Sequence, residues 1–176
     1  SANNGNDTTG LWSYNPKTQK HEELIYRRSD VDSSYRFHTN RFTNENEVTA
    51  VAYRDGRDIK YEWFDAAEQA LYEQIKSLIP YADRISIYRT RDPQTMLINN
   101  RGPRDPGTDY LLKDGKIQVI GSTYPQFSSD QLADVKAITY KARDGRDIPG
   151  FITIPNTEPP YPLVVMPHGG PFVRET

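Results

Sequence analysis

Arg84-Ile85-Ser86-Ile87-Tyr88-Arg89, Thr95-Met96-Leu97-Ile98-Asn99, Thr108-Asp109-Tyr110-Leu111-Leu112 and Lys116-Ile117-Gln118-Val119-Ile120 are four short runs of apolar, β-branched and aromatic residues. Their connections hold Asp92-Pro93, Gly102-Pro103, Pro106-Gly107 and Asp114-Gly115, pairs that supply the fixed or positive φ a reversing chain needs. Four short strands in succession, each followed by a turn signal, predict one blade of a β-propeller.

On the N-terminal side the texture is similar. Gly10-Leu11-Trp12-Ser13-Tyr14 and His21 to Tyr26 flank Asn15-Pro16-Lys17-Thr18, which predicts a hairpin. Val48 to Tyr53 and Ile59 to Phe64 flank Arg54-Asp55-Gly56-Arg57, whose Asp-Gly pair predicts a second. These strands are expected to be remnants of one or two earlier blades. Between them and the four-strand run the period changes. Ala67, Ala70, Leu71, Ile75, Leu78 and Ile79 recur at threes and fours, with Asp65 before them, Glu68 three residues on and Pro80 after. That pattern predicts a capped amphipathic helix over 66–78.

On the C-terminal side, Tyr124-Pro125-Gln126-Phe127-Ser128-Ser129 reads as a linker, and a domain boundary is expected near Asp130. Beyond it, Val135 to Ala142 and Gly150 to Ile154 read as strands around Asp144-Gly145. The hexapeptide Arg54-Asp55-Gly56-Arg57-Asp58-Ile59 recurs letter for letter as Arg143 to Ile148. Two hairpin turns of one chemistry account for it, since Asp-Gly-Arg-Asp lacks the oxygen spacing of a calcium loop. After a Pro-rich loop comes Leu163-Val164-Val165-Met166, an unbroken apolar run of the kind that suits a strand covered on both faces of an α/β sheet. The expected organisation is a polar, disordered leader over 1–10, the C-terminal part of a propeller over 11–129, and the N-terminal strands of an α/β-hydrolase domain over 130–176.

Composition narrows the function classes. The 176 residues carry a net charge of −2 with no basic stripe, which gives no reason to expect nucleic acid or an anionic membrane as partner. Mean hydropathy is −0.81, yet 12 Tyr, 6 Phe and 2 Trp supply core-forming surface. With no cysteine, disulfides, thiolate metal sites and a cysteine nucleophile are excluded. The compartment stays open between cytoplasmic and bacterial periplasmic or secreted. His21 and His38 have no His or Glu at ligand spacing, so no metal and no cofactor is expected. Trp12, Tyr14, Trp63, Phe64, Tyr81, Tyr88 and Tyr110 read as packing between blades.

The chemistry-bearing segment is Pro167-His168-Gly169-Gly170-Pro171, at the end of the Leu163–Met166 run. A strand running into His-Gly-Gly is the pattern of an oxyanion loop in α/β-hydrolases. Acyl transfer builds negative charge on a carbonyl oxygen, and backbone N–H groups must approach it with no side chain in the way. His168, Gly169, Gly170 and Pro171 are therefore the candidate site.

Thr139 to Gly145, Ile148 to Pro155 and Leu163 to Pro171, with Arg174 after them, resemble in this order the opening of the peptidase domain in the prolyl-oligopeptidase family of serine peptidases. The acylaminoacyl-peptidase and dipeptidyl aminopeptidase branch is the nearest in pattern. Phe64-Asp65 leading into the helix, and Asp105 to Leu111, resemble the last propeller blades of that branch. The resemblance implies a propeller that screens substrates by size, a Ser-Asp-His triad and hydrolysis of short peptides. On this chain it implies that the Gly169–Gly170 loop donates one oxyanion N–H and that His168 shapes the turn. Propeller acids that hold a substrate amino-terminus in the family have unranked counterparts in Glu47, Glu62 and Asp65.

No Gly-x-Ser-x-Gly elbow occurs in the sequence. The triad follows the His-Gly-Gly loop in this fold, so it is expected beyond Thr176. The leading expectation is thus a catalytically inert piece of a peptidase. Two alternatives stay open: a stand-alone β-rich module binding peptides or proteins through strand edges, and an inactive adaptor for a separate catalytic chain. Unpaired blade edges also predict pairing between copies, as a homo-oligomer.

Overall fold

A computed structural model describes residues 2–34, 48–167 and 169–170. The chain is mainly β. Among the described residues it forms eleven strands in four small antiparallel sheets with one α-helix, and no sheet closes on itself. Two compact units divide it, Ser1–Glu73 and Gln74–Thr176.

In the first unit, β1 (Leu11–Asn15) pairs with β2 (Lys20–Tyr26) across the predicted turn. Residues 2–10, expected as a leader, are drawn into a loop in which Ala2 and Gly10 exchange backbone hydrogen bonds of 3.2 and 2.9 Å. Trp12 Nε1 donates to the Ala2 carbonyl at 3.2 Å. β3 (Ser33–Ser34), β4 (Ala50–Asp55) and β5 (Asp58–Trp63) make a three-stranded sheet. Ala50, Val51, Ala52 and Tyr53 are buried in succession, so β4 is covered on both faces. Beside it, Tyr61, Trp63 and Tyr72 meet with ring centroids 5.1–5.4 Å apart. Such contacts add about 0.5–1.5 kcal/mol per pair beyond their buried area.

Helix α1 (Ala66–Leu78) falls where the period predicts it. Asp65 caps it, its Oδ1 accepting from the amides of Ala67 (2.8 Å) and Glu68 (3.1 Å). The buried stripe is Tyr72, Ile75 and Ile79, whereas Ala67 and Ala70 lie exposed. Small alanines contribute little area, so the bulkier Tyr72 sets which way the helix turns.

The second unit carries the four-stranded sheet β6 (Arg84–Arg89), β7 (Thr95–Gly102), β8 (Asp105–Lys113) and β9 (Lys116–Ser122), paired in chain order. One face, with Ile85, Met96, Ile98, Tyr110 and Leu112, is buried. On the other, Tyr88 lies opposite Leu97, and both are exposed. A bulge between β8 and β9 pairs Asp109 with Gly121 and Tyr110 with Val119, leaving Ile120 as the extra residue.

After a 3-10 turn at Ser129–Gln131 comes the hairpin β10 (Val135–Lys141) and β11 (Asp147–Thr153). Both copies of the repeated hexapeptide close hairpins, but differently. Asp55 pairs with Asp58 around Gly56 at φ +61°, while Ala142 and Arg146 enclose a three-residue loop with Gly145 at φ +85°. Leu163–Met166, expected as a buried strand, belongs to no strand here and its side chains are 73–87% exposed. A strand buried on both faces needs flanking strands and covering layers. The described residues place neither around it.

Candidate functional site

Of the candidate loop, Gly169 and Gly170 are described, whereas His168 and Pro171 lie outside the described residues, as do Arg174, His38 and Glu47. Both glycines are exposed, and a Cβ added at Gly169 would meet nothing within 4 Å. Gly170 has φ +146°, which side chains rarely adopt. Glu62 is exposed on β5 opposite Val51. Asp65 is engaged as the helix cap. His21 lies against Trp12 and Tyr14, with centroids 6.4 and 5.5 Å away. Among the described residues no group of three His, Asp or Glu could hold a metal ion.

Among the described residues, a buried polar network lies at the β7–β8 turn. Period-two alternation carries Met96, Ile98 and Asn100 onto the buried face, so a side-chain amide sits where an apolar residue is expected. Asn100 is fully buried, and both its amide nitrogen and its oxygen have partners. Its Nδ2 donates to Asp105 Oδ2 (2.7 Å) and to the Tyr81 carbonyl (3.2 Å), and its Oδ1 accepts from the Asp83 amide (2.9 Å). Asp105, also buried, accepts at Oδ1 from the Gly107 amide (3.1 Å) and the Thr108 hydroxyl (2.8 Å). Burying such groups is tolerable because each finds partners.

That network supports a second. Tyr81 has φ +52°, and the bond from Asn100 to its carbonyl helps hold it there. The Arg104 guanidinium lies over the Tyr81 ring, 4.5 Å from its centroid. Its Nε donates to the Ser129 carbonyl at 3.1 Å, and its NH1 lies 3.9 Å from the Asp134 carboxylate. Neither Asn100 nor Arg104 was singled out by the sequence reading. The signal for Asn100 was present, as an amide in register with buried Met96 and Ile98. Arg104 gave none, because its partners are 23 or more residues away.

The four-stranded sheet holds a shallow cleft of about 330 Å³ on the side that carries Tyr88 and Leu97, lined also by Asp109, Ile120 and Gly121 and bordered by Ile98 of the buried face. Asp109 accepts there from Asn99 Nδ2 at 2.7 Å. The cleft pairs an apolar floor with one carboxylate. No protein-family model, no curated protein and no solved structure matches this chain.

Proposed function

We propose that this chain is the junction of a serine peptidase of the prolyl-oligopeptidase class, joining the last propeller blade to the first strands of an α/β-hydrolase domain. The parent hydrolyses short peptides in the manner of acylaminoacyl- or dipeptidyl-peptidases. The chain by itself is inert, because the nucleophile, acid and base all lie elsewhere in the parent. Gly169 and Gly170 contribute one oxyanion N–H to the completed site, with His168 shaping the turn. The observation that carries this reading is order along the chain. A four-stranded antiparallel sheet paired in sequence is followed by a linker, a hairpin, a Pro-rich loop and an apolar run ending in His-Gly-Gly-Pro. Apolar residues on both faces of that sheet further support a blade, since blades are covered on both sides.

The test is the size of the native polypeptide, read by immunoblot of source cells with an antibody to this segment. A band far heavier than 20.2 kDa agrees with the proposal. A band near 20.2 kDa overturns it and favours a second reading, a peptide- or protein-binding module. The cleft beside Tyr88, Leu97 and Asp109 is the specific feature that would serve such a module.

A further inference from the structure

The segment 128–134, which leads from the four-stranded sheet into the β10–β11 hairpin, contains no buried residue. Burial of its own side chains is therefore a weak hold. It is shaped internally by Gln131, whose Oε1 accepts from the Ser128 amide at 2.9 Å and whose amide donates to the Ser128 carbonyl at 3.0 Å. On its far side, Asn156 Nδ2 donates to the Leu132 carbonyl at 3.0 Å. On the sheet side stands Arg104, only 21% exposed, bonded to the Ser129 carbonyl and facing Asp134.

Arg104 is well prepared for this task. It occupies the two-residue loop between Gly102 and Asp105, which pair as the last residues of β7 and the first of β8. Pro103 restricts that loop, and Gly102 fits against Asp83, whose Cβ would lie 2.6 Å from an added Cβ. Tyr81 supplies the platform beneath the guanidinium, and Asn100 pins the Tyr81 backbone. A preorganised side chain loses little freedom in making its contacts.

We infer that Arg104 is a latch, fastening the strap 128–134 and the hairpin behind it to the turn between β7 and β8. Releasing it frees the hairpin while leaving the four-stranded sheet folded. The latch is independent of the peptidase reading, because it rests on Tyr81, Asn100, Arg104, Ser129 and Asp134 and on no residue of the oxyanion loop.

The experiment is hydrogen exchange on the whole chain, read by mass spectrometry over peptides covering 95–113 and 128–134, for the natural sequence, Arg104→Met and Arg104→Lys. Methionine keeps the apolar stem and removes the charge-assisted bond and the cation–π contact. Exchange over 128–134 is expected to rise about tenfold, with 95–113 unchanged. Lysine keeps the charge over Tyr81 without the planar fork and should fall between the two. In parallel, the absence of native cysteine allows a clean pair of spin labels at Lys113→Cys and Lys141→Cys. The distance distribution between them should be narrow with Arg104 and broad with Met. Unchanged exchange and unchanged distances in Arg104→Met would overturn the latch. So would exchange that rises equally in both peptides, because Arg104 would then hold the sheet itself.

Discussion

Replacing Asn100 with alanine removes one hydrogen-bond partner from each of three groups. Asp105 loses a donor at 2.7 Å, the Asp83 amide loses its acceptor at 2.9 Å, and the Tyr81 carbonyl loses a donor at 3.2 Å. The bond to the carboxylate is worth about 1.5–3 kcal/mol and each neutral one about 1 kcal/mol, giving a loss of about 3.5–5 kcal/mol. That is a large part of the stability of a domain this size. Urea unfolding followed by far-UV circular dichroism measures it as a fall in midpoint at constant slope. Asn99→Ala is the control. Asn99 also bonds to an aspartate, at 2.7 Å, but in a half-buried pair on the opposite face, and its loss should cost about 1 kcal/mol or less. The reasoning fails if Asn100→Ala loses less than about 1 kcal/mol, or if the two variants lose the same.

Gly102→Ala places a Cβ 2.6 Å from Asp83 Cβ and should cost about 1–3 kcal/mol by the same urea assay, with partial recovery in Gly102→Ala/Asp83→Gly. Asp65→Ala removes the cap of α1 and should cost about 1 kcal/mol, seen as a loss of helical signal at 222 nm at lower urea. Burial, reinforced by the charge of Asp105, raises the Tyr110 phenol above its ordinary value. A raised folded value means that the folded state favours the neutral phenol. Its contribution is intact below about pH 10 and is lost as pH rises through the folded value. Stability should therefore fall more steeply above pH 10 in the natural chain than in Tyr110→Phe, measured by urea midpoints from pH 8 to 12.

Local chemistry made most of the secondary structure legible. The Asp-Gly and Pro turns located the four-stranded sheet, and Asp65 with Pro80 bounded α1 at both ends. The face of α1 was less legible, because counting alanines as core neglected how little area they bury beside Tyr72. Leu163–Met166 shows the reverse limit. Its composition suits a doubly covered strand, but composition cannot supply the layers that cover one. Of the candidate site, Gly169 and Gly170 were legible as a motif, and the described residues bring no catalytic side chain to them. The Arg104 latch was illegible, since it depends on a turn and a strap brought together by the fold.

The central claim is that this chain belongs to the same polypeptide as an activated serine. Proteins of the source cells are labelled with a fluorophosphonate carrying biotin, captured, digested and mapped by mass spectrometry. The account predicts one protein that yields both the peptide Ile85–Arg89 of this chain and a Gly-x-Ser-x-Gly peptide bearing the adduct on its serine. Recovery of this chain's peptides only in the unlabelled fraction, from a protein with no adduct, would contradict it.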